Sequence, residues 1–134
     1  MVEKKRTKKQ EDIDFEIRFM ESLLEKNPDF TQALIVLGDL YTKKGLYQEG
    51  LAVDERLSRL RPNDPIVFYN LACSYSLVGD LDRSFSAIKK AVESGYDELG
   101  YMEVDGDLAN LRQDARFQEY FSSLKKKTSD KKQV

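Results

Sequence analysis

The residues that could do chemistry are few. The chain has one cysteine, Cys73, and no histidine among its 134 residues. A thiol nucleophile needs a base to form its thiolate, and the commonest one, imidazole, is missing. Zinc asks for several Cys or His ligands, which a single cysteine cannot supply. Asp105 and Asp107 flank Gly106 as the opening ligands of a calcium loop would. The remaining oxygen ligands and the closing glutamate do not follow, so helix capping accounts for the pair. No glycine-rich phosphate loop follows a strand pattern, and no strand pattern is evident. These residues point away from an enzyme, and neither a metal nor a cofactor is expected.

With little chemistry to position, the elements must serve a surface. At 40% apolar and 34% charged residues the composition suits a helical domain with a buried core. No run approaches the roughly 18 apolar residues of a membrane span, and the charged start MVEKKRTKKQEDID lacks the apolar stretch of a secretory signal. One cysteine forms no internal disulfide, and a cytoplasmic location is the simplest expectation. The net charge of −2 conceals a partition. Residues 1–10 hold five Lys/Arg and one acid, and residues 125–134 hold five Lys and one acid. Between them stand 12 basic and 22 acidic residues, so two basic tails flank a body of about −10. Both tails, 1–10 and the Lys-rich 125–134, are expected to be disordered and solvated.

The strongest pattern is a repeat. TQALIVLGDLYTKKG, from Thr31 to Gly45, returns 34 residues later as PIVFYNLACSYSLVG, from Pro65 to Gly79. Leu34 pairs with Phe68, Leu37 with Leu71, Gly38 with Ala72, Tyr41 with Tyr75 and Gly45 with Gly79. A fixed period of this length means stacked supersecondary units. The apolar series Ile13, Ile17, Met20, Leu23 and Leu24 shifts onto Tyr47, Leu51, Asp54, Leu57 and Ser58, then onto Leu81, Phe85, Ile88, Ala91 and Val92. Pro28 shifts onto Pro62.

The spacing Leu34-x2-Leu37-Gly38-x2-Tyr41, echoed by Phe68-x2-Leu71-Ala72-x2-Tyr75, resembles the leading helix of a tetratricopeptide (TPR) repeat. The resemblance implies an all-α fold, an antiparallel helix-pair solenoid of right-handed superhelical type with about two full repeats and capping helices. Residues 11–27 then form an N-terminal half-repeat or cap, 28–62 the first repeat, 63–95 the second, and 96–124 a degenerate repeat with a C-terminal cap. The 11–124 region is one TPR-like domain. The phrase DGDLANLRQDARFQ resembles the closing segment of bacterial TPR arrays.

Punctuation agrees with this reading. Thr31, with Asp29 beside it, is an N-cap type, and Lys43-Lys44-Gly45 closes the first leading helix. The return helix runs from Tyr47 to Leu60 and stops at Arg61-Pro62. Asp64 caps the next helix with Pro65 in its first position. The second return helix spans Leu81 to Ser94, with Gly95 after it. Asp114 opens a last helix from Ala115 to about Leu124, with Phe117, Tyr120, Phe121 and Leu124 on one face. Gly38 and Ala72 are small because a return helix crosses close by. Gly50 and Asp54 depart from the family's preferences for Ala and a large apolar residue, so Asp54 is expected to loosen the packing or turn to solvent.

In a TPR-like stack the leading helices line a concave groove, and the resemblance places a partner there. The positions left over on the first helix are Gln32, Ile35, Val36, Asp39 and Lys43, with Thr42. On the second they are Ile66, Tyr69, Asn70, Cys73 and Leu77, with Ser76. Ile66, Tyr69, Cys73 and Leu77 recur at i, i+3, i+7 and i+11 as an apolar stripe outside the core pattern. Either a partner or the chain's own C-terminal segment, through Tyr101, Met102 or Leu108, covers it. TPR modules that grip a C-terminal carboxylate carry a Lys/Asn clamp. Asn70 stands at one clamp position, but Ile35 and Asp39 replace the Lys and Asn of the first repeat, and a charge at Asp39 repels a carboxylate.

Three functions fit these residues. The first is a non-catalytic protein–protein interaction module or scaffold holding a peptide or helix in the groove. The second is self-association into a homo-oligomer through the same surface. The third is electrostatic binding of nucleic acid or another anionic partner by the basic tails, which lack the interleaved aromatics of single-strand readers.

Overall fold

The computed structural model describes residues 6–132, and among them there are helices and no strand. The backbone divides into two compact units, Met1–Pro62 and Asn63–Val134.

The first unit holds α1 (Lys8–Lys26), α2 (Thr31–Lys43) and α3 (Tyr47–Leu60). Helix α1 starts three residues before the expected Glu11. Its start is set by a reciprocal cap: Thr7 Oγ1 accepts from Gln10 N at 3.2 Å, and Gln10 Oε1 accepts from Thr7 N at 2.8 Å. Arg6–Gln10 of the expected N-terminal tail are therefore placed, while residues 1–5 lie outside the described residues. The expected cap at Thr31 is not made. Thr31 is the first helical residue, and its hydroxyl accepts from Arg61 Nη2 at 2.9 Å, while the neighbouring Asp29 pairs with Arg56 at 3.0 Å.

Between α2 and α3 the chain reverses through Lys44-Gly45-Leu46. Leu46 N donates to Tyr41 O at 2.8 Å and Gly45 N to Thr42 O at 3.0 Å, a double bond pattern that needs the left-handed Gly45, at φ 83°. Asp80 N to Tyr75 O at 2.9 Å and Gly79 N to Ser76 O at 3.0 Å repeat it in the second unit, with Gly79 at φ 84°. The repeat's Tyr and Gly positions are thus one hairpin closure written twice.

Ile17, Leu37 and Leu40 form the buried centre of the first unit, with Ile13, Met20, Leu24, Tyr41 and Val53 packed against them. Helices α2 and α3 cross where side chains vanish. A Cβ on Gly50 would lie 3.1 Å from Thr42 Oγ1 and 3.6 Å from Gly38 O. In the second unit the same register holds Ser84, whose Oγ donates to Ala72 O at 2.7 Å. One shift earlier stands Glu16, which is exposed, so α1 offers no comparable close crossing. Asp54 corrects its expectation. It is buried, with Oδ1 3.1 Å from where a Gly38 Cβ would sit, because the missing Cβ leaves room for a carboxylate in the crossing.

The second unit holds α4 (Pro65–Leu77), α5 (Leu81–Glu93), α6 (Leu99–Val104), a 3-10 turn at Gly106–Leu108, α7 (Ala109–Arg112) and α8 (Ala115–Lys132). Asp64 caps α4 as expected, accepting from Ile66 N at 2.9 Å and Val67 N at 3.3 Å. Ala72, Ile88, Ala91, Met102, Leu108 and Leu111 are fully buried, with Phe117 nearly so, and the 96–117 segment supplies four of these seven. Tyr120 meets the Phe85 ring edge-on, 5.7 Å away at 86°. Helix α8 runs past the expected end at Leu124 to Lys132. No Gly or Pro interrupts 115–132, and Lys, Ser and Thr there tolerate the helix. The C-terminal tail expected to be disordered is thus helical as far as Lys132, and 133–134 lie outside the described residues.

Candidate functional site

The ten groove residues expected from the spacing fall into two different situations. On α4, Tyr69 and Cys73 are buried, at 4% and 7% exposure. Tyr96 stacks on Tyr69 with centroids 4.2 Å apart and planes 6° from parallel, and Tyr101 stands 6.1 Å away. Tyr69 Oη donates to Asp105 Oδ2 at 2.7 Å, and Cys73 Sγ lies 3.7 Å from the same oxygen. Burial, and then the Asp105 hydrogen bond, push the Tyr69 hydroxyl far above an ordinary phenol. As partner contacts, Tyr69 and Cys73 are therefore corrected: the chain itself covers them. The physical reason is that the degenerate third repeat has shrunk to short turns that lie on α4 and bury its stripe. Ile66 and Asn70 stay exposed, and Leu77 is half-buried.

Several residues that hold this cover escaped the sequence reading. Ser76 Oγ accepts from Leu111 N at 3.1 Å, and Ser76 O accepts from Asn110 Nδ2 at 2.9 Å. Arg112 Nη1 donates to Met102 O at 3.2 Å and Asp105 O at 2.5 Å. Asp105 also accepts from Asp107 N through Oδ1 at 3.0 Å. Its carboxylate is thus engaged in a turn, where it caps the 3-10 segment, and in the Tyr69 contact. The missed signal was that Ser76 and Asn110 are 34 residues apart, the repeat period. Among the described residues no group of three or more His, Cys, Asp or Glu could hold a metal ion.

On α2 the expected residues are open. Gln32, Asp39 and Lys43 are exposed, and Ile35 and Val36 stand at 38% and 37%. Lys43 Nζ pairs with Asp39 at 2.9 Å, one turn away. Ala33, Leu34, Leu37 and Leu40 face the core from the same helix. A small pocket lies at the end of α2, lined by Arg6, Gln10, Ile13, Asp14, Lys43 and Lys44. Asp14 is buried in its floor and bonded by Arg6 Nη1 and Lys44 Nζ.

The hydrogen bond from Lys44, and against the opposing effect of burial that from Arg6, hold the Asp14 carboxyl below the usual carboxylate range. In the second unit Arg116 holds Asp114 down to about 2. A depressed folded pKa gives stability that is complete above the unfolded value of about 3.9 and is lost as pH falls through the folded one. The urea midpoint should therefore be flat from neutral pH to about 5 and fall from about 4 downward. Asp114→Asn should make that fall shallower, and an unchanged slope would show that the Arg116 pair contributes nothing.

These hairpins define the fold as that of tetratricopeptide-repeat proteins: all-α, with two matched helix pairs and capping helices. Solved structures of MamA share it. The MamA RS-1 ArsTM double mutant matches with a TM-score of 0.71 at 22% identity, over 92% of this chain and 70% of that one. MamA from residue 41 to its end, from Desulfovibrio magneticus RS-1, matches with a TM-score of 0.65 at 22% identity, over 87% of this chain and 68% of that one. A crystal structure of MamA gives 0.64 at 14% identity, over 94% of each chain. Among curated proteins, a chloroplastic protein from Arabidopsis thaliana is 31% identical over 80 residues. The matched stretch is 58% of this chain and 24% of that protein, so this chain spans about a quarter of its relative's length. No family model matches the sequence. Among the described residues no helix is long and apolar enough to cross a membrane.

Proposed function

We propose that this protein is a non-catalytic interaction module that carries a protein or peptide partner on α2. Ile35 and Val36 supply the apolar contact, and Gln32, Asp39 and Lys43 frame it. The observation that carries the reading is the pair of adjacent branched apolar residues left open on a helix whose other face is core. Partner binding is what solenoid surfaces of this type are suited to, because their packing residues leave one row of side chains unused. The burial of Tyr69 and Cys73 moves the expected contact away from the middle of α4. A cytoplasmic setting belongs to the same reading, supported by a single cysteine, which lies buried and outside any disulfide.

The test is a photo-crosslinking residue at position 35, with one at Glu55 on α3 as the control. A partner captured from position 35 should be lost in the Ile35→Asp/Val36→Asp variant while the far-ultraviolet circular dichroism stays unchanged. Equal capture in that variant, or equal capture from position 55, overturns the reading.

Self-association is a second reading, favoured by Phe15 and Phe19, which stand one turn apart on α1 at 63% and 51% exposure. Sedimentation equilibrium across a wide concentration range separates the two. A monomer throughout removes self-association, and a dimer lost in Phe19→Asp supports it.

A further inference from the structure

The pocket at the end of α2 differs in the sign of its charge from the body around it. Residues 11–124 carry an excess of acids. Yet three cations, Arg6, Lys43 and Lys44, converge on this pocket against one buried acid, Asp14. They come from two places, the segment leading into α1 and the C-terminal end of α2, where Lys43 is the last helical residue and Lys44 the cap.

Asp14 is bonded through Oδ2 to Arg6 Nη1 and through Oδ1 to Lys44 Nζ. One carboxylate cannot use all the donors of a guanidinium and an ammonium, so each cation keeps N–H groups for another oxyanion. Lys43 is held by Asp39 in an exposed pair, at 61% and 63% side-chain exposure, and such pairs are weak enough to exchange. Three positive charges against Asp14 and Asp39 leave a surplus of one at rest, and the lining groups alone reach a surplus of two when Lys43 exchanges Asp39 for an incoming anion. That matches a phosphate dianion better than a carboxylate.

We propose that the pocket formed by Arg6, Lys43 and Lys44 over Asp14 binds a phosphate group, either free or as a phosphate monoester. A phosphorylated side chain and a small phosphorylated molecule share this chemistry. Ile13 gives one apolar wall, against which the methylene of a phosphoserine could rest and inorganic phosphate could not. The inference stands apart from the reading of α2 as a partner surface: either can hold without the other.

The experiment is a titration of the full chain, labelled with nitrogen-15, followed by amide shifts in chloride-free buffer at constant ionic strength. The probes are inorganic phosphate, O-phospho-L-serine and acetate. Inorganic phosphate should shift the amides around Gln10, Lys43 and Lys44 saturably, with a dissociation constant on the order of millimolar. O-phospho-L-serine binding more tightly than inorganic phosphate assigns the site to a phosphorylated side chain, and equal affinity assigns it to the free anion. Lys43→Gln leaves both Asp14 ion pairs in place, so it should fold normally and weaken binding about tenfold, the loss of one charged hydrogen bond. Arg59→Gln, on α3 and outside the lining, should change nothing. Shifts that never saturate, acetate binding as well as phosphate, or Lys43→Gln and Arg59→Gln behaving alike would each overturn the proposal.

Discussion

Leu111→Ala is expected to lower the free energy of unfolding by about 2–5 kcal/mol, a large part of what a domain of this size has. Leu111 is fully buried on a four-residue helix, α7, which by itself could not persist in water. What holds it is tertiary. Its backbone N–H bonds Ser76 Oγ, Asn110 bonds Ser76 O, and Met102 and Leu108 are buried beside it in the same segment. Shortening the side chain removes its burial and leaves a cavity among groups pinned by those hydrogen bonds, so little relaxation can offset the loss. Urea unfolding followed by circular dichroism measures the effect. A loss below about 1 kcal/mol would mean that residues 96–112 are a detachable cover over Tyr69 and Cys73. The larger figure makes them part of the core, and the stripe on α4 an internal surface.

Gly38→Leu should destabilise the protein by about 3 kcal/mol, near the upper end of overpacking costs. The site is tight on one side only: the ideal Cβ would meet Asp54 Oδ1 at 3.1 Å and Val53 Cγ1 at 3.4 Å. Two effects compete. Alanine gains roughly 1 kcal/mol of helix propensity over glycine, and leucine nearly as much. A leucine must also displace a buried carboxylate and a branched side chain from α3, which outweighs that gain. Alanine decides the point, since its single methyl asks only for a shift of the Asp54 oxygen. Gly38→Ala should be close to neutral, and Gly38→Leu strongly destabilising, by chemical denaturation. If both cost the same, backbone conformation rather than the helix crossing sets the need for glycine. The φ of Gly38 is not among the positive values, so the crossing is the expected cause.

Much of the architecture was legible because it is local and written twice. Helix spans from α2 to α5 follow from apolar spacing, and the reversals at Gly45 and Gly79 follow from a residue type that alone suits a left-handed φ. Caps were less legible where two candidates compete. Asp64 caps α4, whereas Thr31 gives its oxygen to Arg61, a residue 30 positions away that local pattern cannot weigh. The outer helix ends were missed for a related reason. Charged composition reads as disorder, yet a Thr7–Gln10 cap and an uninterrupted run of helix-tolerant residues carry α1 and α8 further.

What the sequence determined by itself is the kind of object: a period of 34 residues, small residues at the crossings and glycine at the turns admit stacked helical hairpins and little else. Which surface remains open was decided only by tertiary structure. Ile35 and Tyr69 occupy equivalent kinds of position one helix pair apart, and nothing in their types separates them. One is exposed and the other lies under Tyr96 and against Asp105, because the segment after Gly95 folds back onto α4. Burial belongs to contacts between residues distant in the chain. The spacing of a helix fixes which side chains share a face, but not what comes to rest on it.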